Sequence, residues 1–309
     1  MTVGDGVVLD VENLRMRYDA TDVLDDVTFQ ARHGEVVVLL GPNGAGKTTT
    51  IEILEGFRMR SAGSVTVLGT DPARGGEAWR ARVGVVLQSW RDHGKWRVRE
   101  LLTHLGSFYA PYSTDDVRRP WKTDELIDLV GLTDQADAKI QTLSGGQRRR
   151  MDVAIGVIGR PEVLFLDEPT AGFDPRARRE FHDLVHRLAD DHRTTILLTT
   201  HDLDEAEKLA DRILILAGGR IIADGSADEL SRRIAGEAEV RWTLDAQRFV
   251  HTTTESTKFV HELFKQYGER IDELEVRRAS LEDTYMTLVR RYESGPAEDG
   301  VRALEEVTR

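Results

Sequence analysis

The sequence predicts an α/β protein with a mostly parallel central sheet. Four short runs carry this prediction: Val36–Leu40, Val83–Leu87, Val163–Leu166 and Thr195–Leu198. Each run is almost continuously apolar, which indicates a strand buried on both faces, as the central strands of parallel sheets are. Helical stretches alternate with these runs over the first two-thirds of the chain, and this alternation is typical of α/β folds.

The residues that follow the four runs predict one site at one edge of the sheet. They are Gly41, Gln88, Asp167 and, three residues after its run, His201. In open parallel sheets, ligands bind outside the carboxyl ends of the strands. We therefore expect these four residues to face the same ligand.

Composition excludes several classes of function. The chain has 309 residues and no Cys, so it has no disulfides and no thiolate metal site. No run approaches the roughly 18–20 uncharged apolar residues that a membrane helix needs. The first ten residues, MTVGDGVVLD, lack the pattern of a signal peptide, so we expect a cytosolic protein. The net charge of −12 argues against broad binding to nucleic acid.

The chain divides into a large domain, a small domain and a tail. We predict a first domain over residues 1–232 that contains a helical insertion at about 89–160. A hairpin formed by Arg212–Leu216 and Arg220–Ala223 is expected to close it. The accessory domain, 235–292, is predicted to be mixed α and β, and 293–309 to be a mobile tail.

Within the accessory domain we predict the order strand, helix, strand, helix. The strands are Glu237–Leu244 and Leu274–Arg278. The helices are Lys258–Tyr267, which ends at a glycine, and Leu281–Arg291 with Ser280 as its N-cap.

The segment GPNGAGKT matches the G-x-x-x-x-G-K-[ST] pattern of a phosphate-binding loop. A buried strand precedes it and a helix begins within it, which is the context that the pattern requires. Backbone N–H groups of such a loop face one anion, and the helix N-terminus adds positive potential. The predicted nucleotide-binding residues here are Gly41, Pro42, Asn43, Gly44, Ala45, Gly46, Lys47, Thr48 and Thr49.

The segment FLDEPT supplies two adjacent carboxylates with different predicted roles. Asp167 ends an apolar strand, where an unpaired carboxylate is costly unless it meets a cation. Mg²⁺, bound together with the Thr48 hydroxyl, is the expected partner. Glu168 points elsewhere and is placed to accept a proton from water that attacks the γ-phosphate. The alternative is an ordinary surface turn, since Asp-Glu-Pro is turn-like.

A second anion-binding pattern, LSGGQ, lies at Leu143 to Gln147 and has no lysine. With the phosphate loop and FLDEPT, it resembles the nucleotide-binding subunit of ABC transporters over roughly Val7 to Leu230. The resemblance implies an ABC-cassette P-loop ATPase, with GPNGAGKT as its Walker A loop. It also implies a head-to-tail homodimer in which each ATP is covered by the partner chain. The predicted covering residues are Ser144, Gly145, Gly146 and Gln147.

The resemblance assigns roles to four further residues, each with a plainer alternative. Tyr18 matches a ring stacked on adenine, or it is a packing residue. Gln88 matches a glutamine that touches Mg²⁺ or water and senses the membrane partner, or it is a polar residue at a strand end. His201 matches a histidine on the γ-phosphate, or it only begins a helix. Asp174 matches a loop that crosses the dimer interface.

Three hypotheses about the function that ATP hydrolysis serves are considered. A drug-resistance-type exporter with a separate membrane permease is favoured, because the ending DELEVRRASLEDTYMTLV resembles the C-terminal domain of the daunorubicin-resistance subfamily. An importer subunit with a regulatory C-terminal domain, and a soluble ABC ATPase in translation or DNA repair, are the alternatives. The run Arg148–Arg150 is interpreted as a solvated helix face and not as a nucleic-acid patch. The segment after Gln88 is more polar than is usual in the family, near the surface that receives the membrane partner.

Overall fold

The structure is a computed structural model, which describes residues 6–86, 93–170, 173–235, 238–244 and 247–278, and residues 281–282, 285–286 and 289. Contacts between residues divide the chain into two units, Met1–Ile221 and Ile222–Arg309. The predicted domain limits at 232, 235 and 292 are not tested by this division and stay a prediction. The predicted tail, 293–309, lies outside the described residues.

The main sheet has six strands in the order β5-β6-β7-β3-β8-β9. The first five are parallel to their neighbours. The four predicted central strands therefore lie side by side, as β5, β6, β7 and β3. The α/β fold with a mostly parallel core is confirmed. These strands are β3 (Val36–Leu40), β5 (Val83–Val86), β6 (Val163–Asp167), β7 (Thr195–Thr200), β8 (Arg212–Ala217) and β9 (Arg220–Gly225).

A second sheet, in the order β2-β1-β4, is antiparallel. Its buried side chains share one apolar core with the first helix and the main sheet; Leu14, Ile51 and Phe165 all belong to it. This packing presses the phosphate-loop helix against two sheets. The strands are β1 (Val7–Tyr18), β2 (Thr21–Arg32) and β4 (Ala62–Val67), and the helix is α1 (Lys47–Leu54).

Helices fill the predicted insertion and alternate with the later strands along the chain. Helices α3, α4 and α5 lie between β5 and β6 in the chain, as the sequence predicts. The helices are α2 (Glu77–Arg80), α3 (Val98–Ser107), α4 (Thr123–Leu129), α5 (Gly145–Val157), α6 (Pro175–Asp190), α7 (Leu203–Leu209) and α8 (Ala227–Ala235). Short 3₁₀ turns lie at Pro72–Arg74, Ala110–Tyr112, Thr133–Gln135 and Ile140–Thr142.

The second unit contains an antiparallel sheet in the order β11-β10-β12. The Phe259 ring lies 5.6 Å from that of Trp242 and 4.2 Å from that of His251. The elements are β10 (Ala238–Leu244), β11 (Gln247–Thr253), α9 (Ser256–Tyr267) and β12 (Ile271–Arg278), with a 3₁₀ turn at Gly268–Arg270.

The predicted order strand, helix, strand, helix was wrong by one strand, because β11 was missed. Its sequence, QRFVHTT, has only two adjacent apolar residues and no alternation that would mark a strand. The predicted C-terminal helix is helical at its described residues between 281 and 289, and its predicted cap Ser280 lies outside the described residues. Within the part of the chain that the structure describes, no helix is long and apolar enough to cross a membrane.

Candidate functional site

The phosphate loop joins β3 to α1 at the carboxyl edge of the main sheet. The loop is tight: Ala45 N–H donates to Pro42 O at 3.2 Å, and Gly46 has a φ of 105°. A Cβ on Gly46 would lie 2.5 Å from a Leu24 methyl, and one on Gly41 would lie 2.3 Å from Leu216 O. Both positions therefore require glycine. Asn43 and Gly44, between them, lie exposed at the tip of the loop.

Lys47 lies across this loop. Its Nζ donates to Gly41 O at 2.7 Å and to Pro42 O at 3.1 Å, and lies 3.6 Å from Glu168 Oε1. The side chain is only 5% exposed. Burial lowers the pKa of Lys47, and the charges of Glu168 and Asp167 oppose this shift. A buried ammonium held by two carbonyls and one carboxylate is ready to exchange these contacts for phosphate oxygens.

Asp167, at the end of β6, is bound by two hydroxyls. Thr48 Oγ1 lies 3.1 Å from Asp167 Oδ2, and Thr199 Oγ1 donates to Asp167 Oδ1 at 2.5 Å. Thr199 Oγ1 also accepts the N–H of Glu168 at 3.0 Å. Sequence reasoning missed Thr199, although a threonine late in the apolar run TILLTT is the signal that could have found it. Thr199 holds the two adjacent acidic residues in fixed positions.

Glu168 turns away from Asp167 and toward His201. Its φ is 43°, a left-handed value that is uncommon outside glycine and is often found at functional sites. Glu168 Oε1 lies 3.4 Å from His201 Nδ1. The Glu168 side chain is 19% exposed and that of His201 57%. The structure thus brings Lys47, Asp167, Glu168 and His201 together, as the sequence predicts.

Two further predicted site residues are Gln88 and Tyr18. Gln88 lies outside the described residues. Tyr18, at the end of β1, is 37% exposed, and the Arg58 guanidinium lies over its ring at 5.2 Å from the centroid. A ring that is exposed to this degree has room for a second planar group to stack on it. Stacking on adenine stays a prediction.

The LSGGQ segment forms the start of α5. Ser144 is the N-cap and exchanges two hydrogen bonds with Gln147: Gln147 N–H donates to Ser144 Oγ at 3.3 Å, and Ser144 N–H donates to Gln147 Oε1 at 2.9 Å. A Cβ added to Gly145 would meet nothing within 4 Å. Among the described contacts, none joins Ser144–Gln147 to the phosphate loop of the same chain. The turn is therefore preorganised and open.

Asp174 caps α6. Its Oδ1 accepts the N–H groups of Arg176 at 2.9 Å and Ala177 at 2.8 Å, and these bonds hold the pKa of Asp174 below its usual value. Its predicted role at a dimer interface remains a prediction.

The expectation that Arg148–Arg150 form a solvated helix face was wrong. Arg149 is 8% exposed, and its Nε donates to Pro169 O at 2.8 Å. Arg148 forms an ion pair with Asp152, and Arg150 with Glu180. The sequence could not show this, because the partner of Arg149 is a backbone carbonyl twenty residues away. Arg149 connects α5 to the loop that carries Glu168.

Replacing Arg149 with Met is expected to lower the free energy of unfolding by about 1–3 kcal/mol. The change leaves the Pro169 carbonyl without this donor, and a buried acceptor that loses its partner costs about that much. Urea denaturation of the full chain measures the difference. The control is Arg176→Met, because Arg176 is 86% exposed and its pair with Glu180 is worth at most about 1 kcal/mol. Equal losses for the two variants would contradict the prediction.

Glu55, which follows α1, is a buried carboxyl near the site. Burial raises its pKa to about 8, and the negative charges of Asp167 and Glu52 add to the shift. Between the unfolded value of about 4.5 and the folded value of about 8, the unfolded state releases a proton that the folded state keeps. The stability contributed by this group is therefore complete below pH 4.5 and is lost as the pH rises to about 8.

Replacing Glu55 with Gln is thus expected to flatten the dependence of stability on pH. The slope removed is at most about 1.4 kcal/mol per pH unit, the value for one proton. Urea denaturation in EDTA at several pH values between 6 and 8 checks this. Glu207→Gln, at an exposed position of α7, is the control and should leave the slope unchanged. An unchanged slope in Glu55→Gln would contradict the assignment.

Comparison with known proteins shows which proteins the chain is similar to. The family described as ABC transporter matches residues 24–171. The chain is 42% identical to a Nod factor export ATP-binding protein of Ralstonia nicotianae, covering 74% of this chain and 70% of that protein. It is 35% identical to a daunorubicin resistance ATP-binding protein of Streptomyces coeruleorubidus, covering 92% and 95%. A solved ATP-binding subunit of an ABC transporter shares the fold, with 24% identity, a TM-score of 0.65 and coverage of 91% and 99%.

Proposed function

We propose that this chain drives an exporter of drugs, antibiotics or lipid-like compounds, because it belongs to the family of ABC transporter ATP-binding proteins. It is an ATP-binding subunit of this family and hydrolyses ATP. The observation that carries the export proposal is the similarity to a daunorubicin resistance ATP-binding protein, which extends over nearly the whole chain. The Nod factor relative is named for export.

In the proposed reaction, ATP lies with its phosphates in the loop from Gly41 to Thr49. Lys47 exchanges its two carbonyl contacts for oxygens of the β- and γ-phosphates. Glu168 accepts a proton from the attacking water, and its left-handed backbone directs it away from Asp167. His201, 3.4 Å from Glu168, contacts the γ-phosphate. Tyr18 is proposed to stack on the adenine.

The oxygens of Thr48 and Asp167 fit Mg²⁺. They lie 3.1 Å apart and are hard ligands of the type that this ion prefers. No group of three or more His, Cys, Asp or Glu side chains that could hold a metal lies within the described ranges. This fits an ion that takes its remaining ligands from water and phosphate. When bound, Mg²⁺ neutralises charge on the phosphates. Gln88 is the third proposed ligand.

The second half of each nucleotide site is proposed to come from another copy of this chain. Ser144, Gly145 and Gly146 form an open helix N-terminus, which suits an anion. The turn has no lysine, and Lys47 of the other copy supplies one in a head-to-tail dimer. Asp174 is proposed to lie at the same interface. ATP then favours the closed dimer, and hydrolysis favours the open one.

The proposed membrane partner is an integral permease that holds the chain at the cytoplasmic face of the cell membrane. A row of rings just before, on and just after α3 offers a contact surface. The Trp96 and His104 rings lie 5.2 Å apart and the His104 and Phe108 rings 5.3 Å apart. Phe108 is 60% exposed and Trp96 37%. Exposed apolar side chains that cluster in this way are typical of protein interaction sites.

Co-purification tests the export proposal. Tagged Glu168→Gln chain is recovered from gently solubilised native cells in ATP, and bound proteins are identified. We expect a polytopic membrane protein, and we expect Phe108→Asp in the same background to recover less of it. The similarity of that membrane protein to known permeases then separates export from import. Recovery of ribosomal or DNA-repair proteins without a membrane protein would contradict the proposal.

A further inference from the structure

Glu205 is a buried carboxyl that none of the predicted roles uses. It lies in the first turn of α7 and is 1% exposed. Its Oε1 accepts the Thr170 hydroxyl at 2.7 Å. Burial raises the pKa of Glu205, and the hydroxyls of Thr200 and Thr170 oppose this shift. His182 Nε2, on α6, lies 3.9 Å from Glu205 Oε1. A carboxyl buried so deeply is costly unless such donors satisfy it.

The partners of Glu205 lie next to the proposed catalytic residues. Thr170 comes two residues after Glu168, and Thr200 comes directly before His201. The Glu205 carboxyl thus binds the segment behind the proposed base, and the helix that carries it begins two residues after His201, the proposed γ-phosphate histidine. Thr200 Oγ1 also accepts the N–H of Asp202 at 3.0 Å, which fixes the turn that carries His201.

Holding α6 and α7 together does not require Glu205. Arg178, on α6, donates to Asp202 Oδ2 at 3.0 Å, and Asp202 Oδ1 accepts the N–H of Glu205 at 3.2 Å. These bonds join the two helices and cap α7. The Glu205 side chain is therefore available for the loops that follow β6 and β7.

We propose that Glu205 is a positioning residue for ATP hydrolysis. Through its bond to Thr170 and its place in the first turn of α7, it keeps Glu168 and His201 at a fixed separation. The inference rests on the roles proposed above for Glu168 and His201. Positioning matters here because a displacement of about 1 Å at reacting groups reduces turnover by up to about 10²-fold. Loss of the network therefore slows the reaction more than it weakens the binding of ATP.

The test removes the Thr170 hydroxyl, which donates to Glu205, and then restores it. Thr170→Val keeps the size of the side chain and deletes the donor, whereas Thr170→Ser keeps the donor. For each full-length variant, kcat, the dissociation constant for ATP and the thermal midpoint are measured. Thr170→Val is expected to lower kcat by roughly 10–100-fold with ATP affinity nearly unchanged, and Thr170→Ser to restore most of kcat.

The matched control is Thr194→Val. Thr194 is as buried as Thr170, at 4%, and its hydroxyl donates to Pro161 O at 3.3 Å just before β7 begins. Thr194→Val should lower the thermal midpoint without lowering kcat. If Thr170→Val does not fold, Glu205→Gln replaces it, since the amide keeps the volume of the carboxyl. The same loss of kcat at nearly constant ATP affinity is expected.

Wild-type kcat in Thr170→Val, or a loss of kcat that Ser does not restore, overturns the positioning role. Glu168→Gln is assayed alongside to separate this failure from that of the proposed function. If Glu168→Gln is inactive and Thr170→Val is fully active, only the positioning role of Glu205 is contradicted. If Glu168→Gln hydrolyses ATP at the wild-type rate, the assignment of Glu168 as the base is contradicted, and so is the positioning role of Glu205.

Discussion

Replacing Glu168 with Gln is expected to lower the turnover of ATP by about 10²–10⁴-fold, the usual contribution of a general base. The amide keeps the size of the side chain but cannot accept the proton of the attacking water. Lys47, Thr48 and Asp167 are unchanged, so ATP binding should survive. Steady-state phosphate release and the dissociation constant for ATP measure the two quantities separately.

The same variant is expected to accumulate a dimer in ATP, because a site that binds but does not hydrolyse stays closed. Size-exclusion chromatography with and without ATP shows whether it does. Glu207→Gln, at an exposed position of α7, is the control and should behave as the wild type. Turnover at the wild-type rate in Glu168→Gln would rule out its role as the base.

The parts of the fold that the sequence predicts are those with a local signal. The runs at β3, β6 and β7 are buried on both faces, so they are almost continuously apolar and easily recognised. The phosphate loop is equally local, because its whole pattern, GPNGAGKT, lies in consecutive residues from Gly41 to Thr48. Both kinds of signal lie within a few consecutive residues.

The features that were missed depend on contacts between distant parts of the chain. Thr199 binds Asp167 and the N–H of Glu168 across two adjacent strands, and Arg149 binds a carbonyl beyond the end of β6. Glu205 is one acidic residue among several in the run HDLDEAE, and only burial distinguishes it. Such residues became visible only when the strand order placed their partners beside them.

The open LSGGQ turn leads to a second prediction with a large expected effect. Two variants should each lose the ATP-dependent dimer when alone and should form it when mixed. In the Glu168→Gln background, Lys47→Ala removes the ammonium of the phosphate loop. Ser144→Arg places a bulky cation in the open turn that is proposed to cover the partner's ATP. Each variant alone should lose the ATP-dependent dimer, since each of its two sites contains the defect.

A mixture of the two variants contains one composite site with both residues intact and one site with both altered. If the dimer is head to tail, ATP should bring the two different chains together through the intact site. Chains that carry different tags are mixed and recovered through one tag, and the other tag is then detected. Recovery that needs ATP and needs both variants is the expected result. If Lys47 and Ser144 instead served one nucleotide within a single chain, each chain would still carry its own defect, and mixing would restore nothing.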